Sequence, residues 1–499
     1  MTLTTLLLII GSISTVITLI IVFLLKAHKN ILVSFLQNFC GVLFIFSGWV
    51  KAIDPLGTAY KMEQYFDEFK TTFEGTWFSF IAPMFPVLSD QSIVFSVFMI
   101  VFEIVLGIML VIGLKRKWTS WAFLILVAFF TFLTGFTYLT GYVPEGKNFF
   151  QFSEWAAYNA NNMKVTDCGC FGDFIKLVPK TSFFKDIFLL FPAILFVSKF
   201  DKMHDLFNNK IKWGITILST IGLLIYCFSN YSWDIPGTDF RPFKIGTDVM
   251  AQRELEIDAM SNVQIVAWKL KNREDGKIVE LPYEVYMSQL QNYPKEEWEI
   301  IEQVKTEPTI KATKISEMEF THLVDQYDIT DELLEEDKAS LMIVSHKLYM
   351  KVNQATRMVK DTSYLIDTVL IMNDGTETQE IVKTINEISE KEQRYYEYSW
   401  DKEFIEEYKN KIAPMVNKAK ADGITTRIAI GGADPDAIAA FSREAGLENA
   451  VFLTADDILL KTIVRSNPGT LVWKKGKILH KWHINKLPSY DEIKNNFMK

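Results

Sequence analysis

A chain of 499 residues is long enough for two or three domains, yet its mean hydropathy of +0.12 averages two unlike halves, the apolar one ending near residue 232. The net charge of −8 comes largely from the second half and leaves no basic footprint for nucleic acid. All four cysteines, Cys40, Cys168, Cys170 and Cys227, lie in the first half, which excludes dithiol chemistry from the second.

Six apolar runs follow one another at 3–25, 31–50, 91–114, 118–141, 182–199 and 213–231. A membrane span needs about 20 apolar residues, so each is read as a transmembrane helix, with 182–199 at the lower limit. No side-chain charge precedes the first run, and lysines follow it. That is the reverse of a cleaved signal peptide, so a retained helix is expected. Three connections are basic: 26–29, 115–117, and the one holding Lys199, Lys202, Lys210 and Lys212. The positive-inside rule puts all three in the cytoplasm. Alternation then makes the N-terminus, the loops 51–90 and 142–181, and everything after 231 external.

On the second run, Cys40 sits at nearly the depth of Glu103 on the third, with Asn38 about one half-turn deeper. An ionisable group at mid-membrane costs at least about 2.5 kcal/mol, so Glu103 should be paired, protonated or functional. A protonated Glu103 bonded to Asn38 is the structural reading; a proton or quinone site near Glu103 and Cys40 is the functional one. Cys40 and Cys227 themselves read as small buried apolar residues. In the first external loop, apolar residues recur at three- and four-residue spacing from Ala59 to Phe80, which predicts an amphipathic helix. Its aromatic face suits the headgroup layer or a cap on the bundle. Lys51, Asp54, Lys61 and Glu63 nearby read as a solvated rim.

The second external loop carries Asp167-Cys168-Gly169-Cys170-Phe171-Gly172-Asp173. Two cysteines around one glycine can bind a soft metal, form a strained disulfide or exchange with another thiol. No nearby His or Cys completes a metal set, so no metal site is expected. By chemistry alone a reactive pair and a loop staple stand level.

After residue 232 the composition becomes that of a water-soluble protein. Residues 233–320 read as a linker and small α+β subdomain. From 321 the order is a strand at 340–346, a long region of helical character ending with 401–421, and a strand at 426–431. A helix opening at Asp434-Pro435, a strand at 450–454 and a short helix at 456–465 follow. Asn467-Pro468 then leads into a hairpin at 470–482, and a terminal helix begins at Ser489. The fold class is therefore a membrane α-helical bundle, 1–232, plus an α/β domain, 321–499.

That order, with Pro468 before the hairpin, resembles the thioredoxin-like fold. The resemblance implies a cis proline and makes Asn467 and Pro468 a partner-binding loop. The family's Cys-x-x-Cys should fall near 345–349, where no cysteine stands, so the domain is expected to bind without catalysing. In the bundle, Ser47-Gly48-Trp49-Val50-Lys51-Ala52-Ile53-Asp54-Pro55 and Cys168-Gly169-Cys170-Phe171-Gly172 resemble the DoxX-like membrane proteins, closest to the MauE (methylamine-utilisation) branch, over about 31–200. This implies thiol–disulfide traffic on the external, periplasmic side of a bacterial inner membrane, with Cys168 and Cys170 as the reactive groups of a thiol–disulfide oxidoreductase. Membrane lipid and a periplasmic protein or envelope complex are the partners it implies; no cofactor is readable. The rival is a non-enzymatic scaffold of an envelope complex, with the cysteine pair structural.

Overall fold

The computed structural model describes residues 2–373 and 376–498. Helix α1 (Leu3–Leu19, continued by a π turn to Leu24) opens the chain. Helix α2 (Ile31–Ile53) starts where the Asn30 side chain accepts from the Val33 amide (3.0 Å). It ends at Asp54, which caps α3 (Pro55–Phe73) with proline at the first helical position. After α4 (Met84–Asp90), α5 (Ser92–Ile112) stops at Gly113, which takes the left-handed conformation (φ +72°) that glycine adopts without strain. Helices α6 (Arg116–Thr140), α7 (Pro179–Ser198) and α8 (Asn209–Phe228, with a π turn to Trp233) complete the first half.

Six helices are long and apolar enough to cross a membrane: Leu3–Leu24, Ile31–Ile53, Ser92–Ile112, Arg116–Thr140, Pro179–Ser198 and Asn209–Trp233. Their outward faces keep large apolar residues exposed, among them Leu8, Phe98, Phe132, Phe188 and Leu218, as helices bathed in lipid do. Helices α2 and α5 approach until Gly41 and Gly107 face each other. A β-carbon on Gly107 would stand 2.7 Å from the Gly41 carbonyl oxygen. Cys40, Leu43, Phe44, Phe123 and Phe196 fill the space between α2, α6 and α7. The periodic stretch expected to be helical from Ala59 to Phe80 is so only to Phe73, as α3; turns at 74–78 and a 3-10 turn at Ser79–Ile81 follow, and Tyr65 and Phe69 pack with Phe85 and Phe136.

The chain divides into two compact units. One joins 1–318 with 330–339 and 461–488. It holds α9 (Val249–Ser261) and an antiparallel sheet ordered β2-β1-β3, from β1 (Ile265–Asn272), β2 (Ile278–Pro282) and β3 (Trp298–Lys305), with α10 (Tyr283–Ser288) before β3. The other joins 319–329, 340–460 and 489–499. There β4 (Thr321–His322) pairs antiparallel with the last strand of a row that is otherwise parallel. Helix α11 (Thr330–Glu335) belongs to the first unit and leads back to that row, which begins with β5 (Ser340–Ser345), buried at every position.

The helical character expected between β5 and residue 400 is not found. Residues there form β6 (Met350–Asn373) and β7 (Thr376–Trp400), paired antiparallel from Met350↔Trp400 to Asn373↔Thr376. The Glu, Lys and Gln residues favour helix, but Thr384, Ile385, Ile388, Tyr395, Tyr396 and Tyr398 are β-formers, and cross-strand pairing decides between them. Helices α12 (Lys402–Glu407) and α13 (Ala413–Ala421) then lead to β8 (Thr426–Gly431), parallel to β5. Helix α14 (Pro435–Ala445) opens on its Asp434 cap, and β9 (Val451–Ala455) lies parallel to β8. Helix α15 (Asp457–Ile463) leads to the hairpin β10 (Gly469–Lys474) and β11 (Lys477–His483) of the first unit. Helix α16 (Tyr490–Phe497) starts with a capping box between Ser489 and Glu492.

Candidate functional site

Cys168 and Cys170 stand on the connection between α6 and α7. The Asp167 carboxylate accepts from the Gly169 amide (3.1 Å), and Gly169 and Gly172 both take positive φ (+60° and +51°). A side chain at 169 would strain this turn and also meet Lys61, whose Cγ lies 3.2 Å from where its β-carbon would be. Phe171 is buried beneath the turn, against Phe46, and Ser47 Oγ donates to the Cys170 carbonyl (2.8 Å). Both cysteines are half-buried free thiols. Ser182, in the first turns of α7, is fully buried, and its hydroxyl makes no hydrogen bond. Burial, then the neighbouring Cys170, pushes the Cys168 thiol up to about 12. Burial also raises Cys170, against the pull of the Lys185 ammonium.

Beneath the turn lie two buried ion pairs. Lys51 donates to Glu103 (2.5 Å), and the Lys51 ammonium is also 5.3 Å from the centre of the Phe130 ring. Lys185 pairs with Asp186, which accepts from Thr134 Oγ1 (3.0 Å), and the Lys185 ammonium lies 5.9 Å from the centre of the Phe171 ring. Glu103 is therefore bound to Lys51 and not to Asn38, whose amide donates to Thr18 Oγ1 (3.0 Å). A lysine can send its ammonium several ångströms along the bundle from its backbone position, which a comparison of α-carbon depths misses. Lys51 and Asp54 are likewise no solvated rim: Lys51 is 7 % exposed, and Asp54 is paired with Arg465. Cys40 is fully buried at a core position. Cys227, equally buried, packs in a different cluster from Cys170, with Ala52, Ile100 and Leu223.

The Asn467–Pro468 peptide is cis, and Ser466 Oγ donates to the Pro468 carbonyl (2.5 Å). Two residues earlier, Arg465 is 5 % exposed and reaches both Asp54 (2.8 Å) and Asp173 (3.3 Å). His346, at the end of β5, is buried. Among the described residues no three His, Cys, Asp or Glu side chains gather to hold a metal.

Arg465, Ser182, Lys185 and Asp186 were absent from the sequence reading of this site. For Lys185 and Asp186 a signal existed: two charges side by side, inside the helix that begins at Pro179, need partners in the bundle. Arg465 carried no signal, since its partners lie some 290 and 410 residues away in sequence.

Residues 29–145 match the family model of the methylamine utilisation protein MauE. No curated protein and no solved structure matches the chain. Residues 29–145 are thus MauE-like, within a chain whose six long apolar helices mark it as a membrane protein. The MauE-like stretch covers α2 to α6 and so includes Lys51, Glu103 and the Gly41–Gly107 contact. It stops short of Cys168 and Cys170. Two thiols on one tight turn can close to a disulfide, releasing two electrons and two protons, whether or not MauE-like proteins share the turn.

Proposed function

We propose that this MauE-like membrane protein exchanges electrons with proteins outside the cytoplasm through Cys168 and Cys170. The observation that carries the reading is the turn itself: with Gly169 at positive φ, two half-buried free thiols stand one residue apart on it. In the exchange, a Cys168–Cys170 disulfide takes two electrons and two protons from a protein dithiol, leaving that protein oxidised and the pair as thiols; the reverse run reduces a substrate disulfide. A bond across one residue closes almost no chain, so it has little to offer as a staple and should reduce easily. The basic connections favour a bacterial inner membrane with the N-terminus, the thiol turn and everything after 231 on the periplasmic side. Residues 321–499 serve as a thioredoxin-like binding module. Parallel strands β5, β8 and β9 with intervening helices support this, as does the proline before the β10–β11 hairpin. No cysteine follows Cys227, so that module does not itself carry out dithiol exchange.

The burial that raises both thiols favours a second reading, a membrane scaffold whose cysteine pair is structural. One experiment separates them. With Cys170→Ser, an attacking partner should remain bonded to Cys168 and appear as a mixed disulfide on non-reducing gels. Absence of any adduct, together with unchanged growth, would leave the scaffold as the better account.

A further inference from the structure

We propose that Arg465 is a positioning residue, a latch that holds the first turns of α3 over the thiol turn and whose release uncovers Cys168. The inference rests on Cys168 and Cys170 being the exchange pair, and assigns the control of their exposure.

Three segments meet at the Arg465 guanidinium. Its Nε donates to both oxygens of Asp54 (3.1 and 2.8 Å), at the corner where α2 passes into α3. Its Nη2 donates to Asp173 (3.3 Å), three residues after Cys170, and its Nη1 to the Lys461 carbonyl (2.5 Å). Its central carbon lies 5.2 Å from the centre of the Tyr60 ring on α3. A methyl on Gly57, in the first turn of α3, would come within 3.1 Å of Nη2, so the fit is close. Charge-assisted bonds of this kind, out of water, are strong and directional. Lys461 repeats the tie one turn along, 3.7 Å from Glu63 and 4.8 Å from the centre of the Tyr60 ring.

Helix α3 in turn covers the thiols. Lys61 runs across Gly169 and pairs with Asp167 (3.3 Å), so the turn is bounded by Asp167–Lys61 on one side and Asp173–Arg465 on the other. Without Arg465, Asp54 and Asp173 lose the cation they share, and like charges at such a distance repel. The corner of α3 and the end of the thiol turn then part. Water reaches Cys168, and the burial that raises its thiol is relieved. Arg465 stands two residues before Asn467-Pro468, so displacement of that loop acts on the same clamp.

The test is the alkylation rate of each cysteine by a water-soluble maleimide. It uses the full chain in membrane vesicles opened to reagent on both sides and is read by peptide mass spectrometry. Arg465→Gln should raise the Cys168 rate at least about tenfold while Cys40 and Cys227 stay unlabelled. Arg465→Lys, which keeps the charge but not the fork, should fall between. Should Arg465→Gln fail to insert, Asp173→Asn removes one tie and should give a smaller selective rise. An unchanged Cys168 rate, or a rise shared by Cys40 and Cys227, overturns the latch. Selective labelling without any trapped partner would uphold the latch and overturn the exchange reading.

Discussion

A lysine ammonium and a carboxylate 2.5 Å apart inside a helix bundle, as in Lys51 and Glu103, are tolerable because each neutralises the other. Glu103→Gln leaves the Lys51 charge unpaired and should lower stability by ~3–5 kcal/mol, with most of it restored in Lys51→Met/Glu103→Gln. Thermal melts of the purified protein in detergent check this; a well-tolerated single variant would show that the pair is not needed. The sequence alone led to the opposite expectation, because Asn38 lay at the right depth and Lys51 was counted with the rim. A second buried group lies in the segment after the last span. Asp239 takes bonds from Arg241 (2.7 and 2.8 Å) and from Lys481 (2.6 Å), which also donates to the carbonyls of Phe243 and Ile463. Burial and then Arg241 push Lys481 down to about 7, against the pull of Asp239. With three acceptors facing its nitrogen, the charged form is the one the geometry fits, and the pair is ionic. Burial alone would raise Asp239, but Arg241 and Lys481 outweigh it and hold the carboxyl at about 2. A depressed carboxyl gives stability that is full above its unfolded value near 4 and is lost as pH falls through about 2, here about 2 kcal/mol. Asp239→Asn should therefore flatten the fall in melting temperature between pH 4 and pH 2. An equal slope in both proteins would remove Asp239 from that account.

Helix α2 lies against α5 through glycine, and the contact is backbone to backbone. A methyl on Gly107 meets the Gly41 carbonyl at 2.7 Å and the Ile45 amide nitrogen at 3.0 Å, neither of which can rotate away. Gly107→Ala should destabilise the bundle by about 1–3 kcal/mol. Gly222→Ala on α8, where nothing lies within 4 Å, should be neutral or slightly stabilising. Equal melting temperatures for the two variants would refute the close crossing. Run length made these helices legible, because a span must satisfy its own backbone and stop where its chain reaches water. Which face meets which neighbour was not legible, since lipid-facing and core-facing residues are alike apolar. The strand pair β6–β7 was misread for a related reason. Helix propensity is local and weak, and the pairing partner of each residue lies up to fifty positions away.

For the whole molecule the proposed orientation makes a direct prediction. Single cysteines placed at Gly75 and Ile300 should react with an impermeant reagent on intact cells, and ones at His28 and Lys117 should react only after permeabilisation. Labelling at His28 or Lys117 in intact cells would reverse the topology argued from the basic connections. The two compact units bear on how variants spread their effects. The segment 461–488 belongs to the same compact unit as the bundle, so Arg465→Gln should disturb Cys168 chemistry. Substitutions on α14, in the other unit, such as Glu444→Ala, should leave it unchanged.

Composition and run length by themselves determined that the first half carries six segments long and apolar enough to cross a membrane and that no cysteine stands after Cys227. Both follow from local quantities, the number of consecutive apolar residues and the positions of sulfur. The spacing of glycine and cysteine in 167–173 marked the thiol turn for the same reason: a turn is a property of adjacent residues. Tertiary structure decided what surrounds it. Lys51 meets Glu103, and Arg465 gathers Asp54 and Asp173, because buried charges must find partners wherever the fold brings them, and a sequence carries no record of that distance.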